Sequence, residues 1–171
     1  MKNSVKTIAL TAVFSAFALL SFVLESLIPP IFIPGARLGL SNLFVLLALI
    51  VLGVKSAYAV FIVKIVLGSI FAGNISMIIY SLPSGVISLT FEVLLLKFLG
   101  DKLSLVALST GAAVINVTVQ NIVYVLVTNT PSLIVYLPYL TLISVVSGAF
   151  VGIVCHIIVK ILPLTFVKAN V

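Results

Sequence analysis

From Leu43 to Leu52 every side chain is apolar, which leaves no face of that segment for water. In lipid, each peptide N–H and C=O must find its partner inside the protein, so only helices and closed barrels cross a bilayer. Barrel strands alternate lipid-facing and lumen-facing residues, and this run does not alternate. The rest of the chain has the same bias: 63% of its 171 residues are hydrophobic and 7% are charged. A soluble domain carries about 25% charged residues. The expected fold class is an all-α integral membrane protein.

A spanning helix takes about 20 apolar residues, so the length accommodates roughly five to seven. Glycine and proline punctuate the hydrophobicity at Pro29-Pro30, Pro34-Gly35, Gly53, Gly73, Gly100 and Pro131. They divide residues 1–171, read as one transmembrane domain, into six spans near 7–28, 38–53, 55–73, 75–99, 103–128 and 134–162. Ala16-Phe17-Ala18 has the form of a signal-peptide cleavage site behind Lys2 and Lys6. The apolar run continues through Leu24, however, so the first segment is expected to be a retained helix. The connection from Pro29 to Leu38 either caps a cavity or serves as a stiff linker.

Orientation follows from the basic residues, which favour the cytoplasmic side. With the N-terminus inside, the cytoplasmic ends carry Lys2, Lys6, Lys55, Lys97, Lys102, Lys160 and Lys168, against Arg37 alone outside. Both termini are expected in the cytoplasm of a multi-pass cell-membrane protein. The net charge of +6 is scattered over helix ends rather than clustered, so no nucleic-acid partner is expected. Cys155 is the one cysteine and allows no disulfide framework or metal knuckle.

The polar groups inside the apolar runs carry the functional reading. Lys64 lies near the middle of the third, where a charge costs roughly 2.5–3.5 kcal/mol on insertion scales. Such a residue is kept facing a wet cavity, a partner or a ligand. Glu25 falls near the outer end of the first helix, with Arg37 and Asn42 near the outer start of the second. Ser81-Leu82-Pro83-Ser84-Gly85 places a proline, which removes a backbone donor and tends to open a helix, in the fourth. Asn116, Gln120 and Tyr124 recur at i, i+4 and i+8 on the fifth. Most of these groups converge on the outer half. These groups also have structural readings: Glu25 with Arg37 as an interfacial ion pair, Lys64 as a structural partner of Glu25 or a snorkelling side chain, Asn116 and Asn121 as bonds between helices, Tyr80 and Tyr124 as interfacial aromatics. Glu92, near Lys97, suits packing or coupling, and His156 reads as a satisfied polar residue.

The chain has no HExxH, no phosphate-binding glycine loop and no aspartate-rich DDxxD motif. Three acidic residues are too few for magnesium-dependent prenyl or phosphoryl chemistry. Binding therefore fits better than catalysis, with no metal or cofactor expected. Small residues at Ala9, Ala12 and Ala16, and again at Ser144, Gly148 and Gly152, let another helix approach closely. That approach is made either within the bundle or to a partner.

The segments Arg37-Leu38-Gly39-Leu40-Ser41-Asn42, Leu52-Gly53-Val54-Lys55-Ser56-Ala57, Lys64 to Gly73, and Ser81-Leu82-Pro83-Ser84-Gly85 with Ser88 resemble the Gx transporter family. Members are often labelled heptaprenyl diphosphate synthase component I. The resemblance covers roughly residues 8–160. It implies the six-helix organisation of substrate-binding (S) components of energy-coupling factor (ECF) transporters. In those, an Ala-x-x-x-Ala pattern on the first helix, matched by Ala12 and Ala16, contacts a transmembrane T component that works with ATPase subunits. Where the family has arginine in the third helix, this chain has Lys64, which keeps the charge but loses a bidentate fork. The implied function is capture of a small organic solute, with Arg37 and Lys64 suggesting an anionic group on it. Apolar walls suggest a ring or isoprenoid portion, as in a quinone precursor or vitamin-like compound. The expected solute-binding set is Glu25, Arg37, Asn42, Lys64, Ser81, Ser84, Asn116, Gln120 and Tyr124. The alternative is a non-catalytic membrane accessory of a prenyl diphosphate synthase.

Overall fold

In a computed structural model, residues 2–27 and 39–162 are described. They form α1 (Lys2–Leu27), α2 (Leu40–Leu52), α3 (Val54–Phe71), α4 (Met77–Leu99), α5 (Leu105–Thr128) and α6 (Leu137–Ile161). Short 3-10 turns at Gly100–Lys102 and Pro131–Tyr136 lead into α5 and α6. The described secondary structure is entirely helical. Arg37 and the connection from Pro29 to Leu38 lie outside the described residues.

The helix apolar on every face is the innermost. A helix without a polar side belongs in a protein or lipid interior, and in α2 Leu43, Val45, Leu46, Leu47, Ala48, Leu49 and Val51 are all buried. The helices α1, α3 and α6 pack around it. The outer surface is apolar as well: Phe17, Leu24, Ile79, Leu126, Val146 and Ile157 are exposed. Exposed apolar groups distributed over most helices match a lipid solvent rather than water. Among the described residues, five helical segments are long and apolar enough to cross a membrane, and the chain is a multi-pass membrane protein.

The six-span expectation is met in part. α2 has 13 residues, a length of about 20 Å at 1.5 Å per residue, against a hydrocarbon core of about 30 Å. Because its neighbours bury it, its ends have no need to match the bilayer thickness. A single residue, Gly53, joins α2 to α3 at φ 94°, ψ 177°. That region is open to glycine and strained for other residues, although nothing lies within 4 Å of where a Cβ would stand. The first helix runs unbroken past Ala18, which is fully buried.

The fourth helix departs from expectation. Pro83 and Gly85 do not open it, and α4 is continuous from Met77 to Leu99. Pro83 stands less than two turns from the start, where the missing N–H removes one early bond and leaves the later ladder intact. The small residues of α6 serve internal packing. A Cβ on Gly148 would stand 2.8 Å from Thr110 Cα, and one on Gly152 would stand 2.5 Å from Val106 Cα. The backbones of α5 and α6 are thus in near contact, as small-residue spacing permits.

Candidate functional site

Between the helices lies a chamber of about 80 Å³ whose wall includes Glu25, Asn42, Lys64, Ser81, Ser84, Asn116 and Gln120. Seven of the nine residues expected at a solute site are therefore brought together. They come from α1, α2, α3, α4 and α5, and the rings of Phe22 and Phe61 complete part of the lining. Both rings sit where helices lack a side chain: a Cβ on Gly68 would meet Phe22, and one on Gly85 would meet Phe61. The two glycines thus let aromatic walls lie directly on helix backbones.

Lys64 is 4% exposed, and its Nζ donates to Asn42 Oδ1 at 2.6 Å. The ammonium also lies 5.7 Å from the centre of the Phe61 ring, within reach of a cation–π attraction. Glu25 is buried on the same chamber, and its Oε1 accepts from the Ser41 backbone N–H at 3.3 Å. That N–H belongs to the first turn of α2, whose amides lack intrahelical partners and favour a carboxylate. Ser84 Oγ donates to the Ser81 carbonyl at 3.1 Å. Ser81 Oγ and Asn116 Oδ1 are buried without a hydrogen-bond partner. A buried polar atom left unpaired costs about 1–3 kcal/mol, so their position on the chamber wall suits groups that await a guest.

Tyr124 is not part of this wall. It is 39% exposed, and its ring meets that of Tyr80 edge-on at 5.4 Å. Asn121 is used structurally, with Nδ2 donating to the Leu133 carbonyl at 3.4 Å and so tying α5 to the following turn. His156 is exposed rather than enclosed. The structure adds wall residues that sequence reasoning missed: Ser41, Ser144 and Ser147. Their signal was present, since Ser144 and Ser147 precede Gly148 on the face of α6 that packs inward.

A second, smaller chamber of about 40 Å³ continues from the first. The two share Gly39, Asn42, Phe61, Gly85, Ala113, Asn116 and Ser147, and the smaller one reaches Ser88, Glu92 and Ser109. Ser88 Oγ donates to the Ala112 carbonyl at 2.8 Å across the α4–α5 contact.

On the opposite side of α1, Ala12 and Ala16 are exposed in an open groove of about 660 Å³. The groove runs between α1 and α3 and is bordered by Thr11, Ser15, Ala59 and Val63. It is separate from the polar chambers and lined almost wholly by apolar atoms.

The sequence profile described as heptaprenyl diphosphate synthase component I matches residues 14–158. The chain belongs to that family. The match reaches all six helices and takes in both chambers and Ala16, but it leaves out the first half of α1 with Ala12 and the last turn of α6. For this family member, no curated protein and no solved structure gave a match.

Proposed function

We propose that this protein is the substrate-binding component of an ECF-type importer, holding a small amphipathic solute in the chamber beside Lys64. The observation that carries this reading is a partly open chamber in a largely apolar bundle whose wall includes a buried ammonium and unpaired Ser81 and Asn116 oxygens. Polar groups are expensive at membrane depth and are kept where they act. An anionic group on the solute would take charge-assisted hydrogen bonds from Lys64, with Arg37 as a second cation. Phe22 and Phe61 supply the apolar surface for a ring or isoprenoid portion.

The groove at Ala12 and Ala16 is the proposed contact for the T component, because small exposed residues let a partner helix come close. Replacing Ala12 with tryptophan is expected to abolish assembly with the T and ATPase subunits while solute binding persists. Transport at the parental rate by Ala12→Trp would remove the groove from the assembly. A second reading, a non-catalytic accessory of a prenyl diphosphate synthase, is favoured by the family's description. Affinity purification separates the two: T and ATPase subunits support transport, and a soluble synthase bearing acidic motifs supports the accessory role.

The proposed topology has both termini in the cytoplasm and the Lys64 chamber opening outward. In a Cys155→Ser background, Ala36→Cys is expected to react with an impermeant thiol reagent in intact cells. Asp101→Cys is expected to react only after permeabilisation. Labelling of the latter from outside would invert the bundle and the direction of capture.

A further inference from the structure

The smaller chamber has a polarity of its own. Glu92 is 9% exposed and lies on its wall, and no hydrogen bond from the described residues reaches its carboxyl. Asn116, whose Oδ1 is a second acceptor without a partner, lines the same space. The hydroxyls of Ser88, Ser109 and Ser147 complete a set of hard oxygen groups. Lys64 lines the larger chamber and not this one, and its positive charge acts on the Glu92 carboxyl through space rather than through a hydrogen bond. Two buried oxygen-bearing side chains on the wall of one chamber, neither receiving a hydrogen bond from the described residues, favour a guest that donates hydrogen bonds or carries positive charge.

Size narrows the choice. A single water takes about 10–15 Å³ on the relevant measure, so 40 Å³ holds the equivalent of about three. Oxygen ligands suit hard cations, and one carboxylate balances one charge. A bare alkali ion with a water fits, as does the ammonium head of a small solute. A bulky organic cation does not.

We propose that the inner chamber is a subsite for a small monovalent cation, anchored by the Glu92 carboxylate and flanked by Asn116 Oδ1. The source is either a free alkali ion bound beneath the solute or an ammonium group on the solute itself. In the second case the subsite rests on the solute-binding reading and makes the solute zwitterionic, with opposite charges directed at Lys64 and Glu92. In the first it stands by itself and gives the bundle an ion site beside its solute site.

Dicyclohexylcarbodiimide tests this on the intact purified protein. The reagent is apolar, enters micelles, and adds to a protonated carboxyl; the resulting O-acylisourea rearranges to a stable N-acylurea that peptide mass mapping locates. Labelling would be followed in N-methylglucamine chloride, a bulky reference cation, and at equal ionic strength in lithium, sodium, potassium, methylammonium or ethanolammonium chloride. Glu92 is expected to be labelled in the reference salt and slowed at least tenfold by one or more of the small cations. Protection by an alkali ion identifies a free ion site, and protection by the amines identifies the ammonium of a solute. Asn116→Leu should weaken the protection several-fold while leaving labelling in the reference salt. Thermal unfolding in each salt serves as the comparison, because a general tightening of the fold would raise the midpoint in step with the protection. Equal rates at Glu92 in all salts, absence of label in the reference, or protection that merely tracks the unfolding midpoint each overturn the proposal. The assay uses the isolated chain without transporter partners, so its outcome is independent of whether those partners assemble.

Discussion

Lys64→Met should bind the co-purifying solute about ten- to a hundred-fold more weakly than the parent chain. A hydrogen bond to a charged group contributes roughly 1.5–3 kcal/mol, and each 1.4 kcal/mol is about tenfold in affinity. The substitution keeps most of the side-chain volume and removes the ammonium that reaches Asn42 Oδ1 at 2.6 Å. Lys64→Arg should lose less, since charge survives although the donor geometry changes. Gln120→Leu, which removes a neutral polar group from the same wall, should lose less than Lys64→Met for the same reason. Native mass spectrometry of the gently purified protein identifies the solute and reads its retention, with thermal unfolding followed in parallel. Normal retention together with lowered stability would make Lys64 a structural tie to α2, and the solute site would lie elsewhere.

Gly152→Ala should lower the unfolding midpoint clearly, although alanine is the better helix former. The propensity gain in a helix interior is about 1 kcal/mol. Against it stands a Cβ placed 2.5 Å from Val106 Cα and 2.8 Å from the Leu105 carbonyl oxygen. Backbone atoms of α5 cannot rotate aside, so the helices must separate, and overpacking of this kind costs about 1–3 kcal/mol and occasionally more. Gly152→Val should cost more still. Gly111 provides the contrast: a Cβ there meets Phe91 at 3.4 Å, an ordinary contact. Gly111→Ala should therefore be neutral or stabilising by up to about 1 kcal/mol. If both alanine variants unfold at the parental temperature, the α5–α6 contact is looser than the structure has it.

The two substitutions probe different levels of what could be read beforehand. The spacing of Ser144, Gly148 and Gly152 was legible as a close-approach surface, but spacing cannot say what approaches. The same pattern at Ala9, Ala12 and Ala16 remains exposed on α1, whereas on α6 it is filled by α5. Tyr124 illustrates a further limit. At 3.6 residues per turn, eight residues carry a side chain about 80° around the helix. Asn116 and Gln120 stay on the chamber while Tyr124 turns away to meet Tyr80. Pro83 failed as a signal for the opposite reason, because its effect depends on how far along the helix it falls, and α4 begins only at Met77.

The class of the protein was determined by sequence alone, because the demand that every backbone group be satisfied in lipid acts on each segment locally. The helix order and the positions of the breaks followed from the same local rule, as did the short inventory of buried polar residues. Only the tertiary structure decided which of those residues face one another. Asn42 receives the Lys64 ammonium across 22 positions of sequence, and Glu92 shares a chamber with both Asn42 and Asn116. Such meetings depend on the rotation of each helix about its own axis. That rotation is set by packing against all neighbours at once, through contacts such as Phe61 on Gly85 and Phe22 on Gly68. In helices that are apolar on nearly every face, no polar stripe announces it in advance.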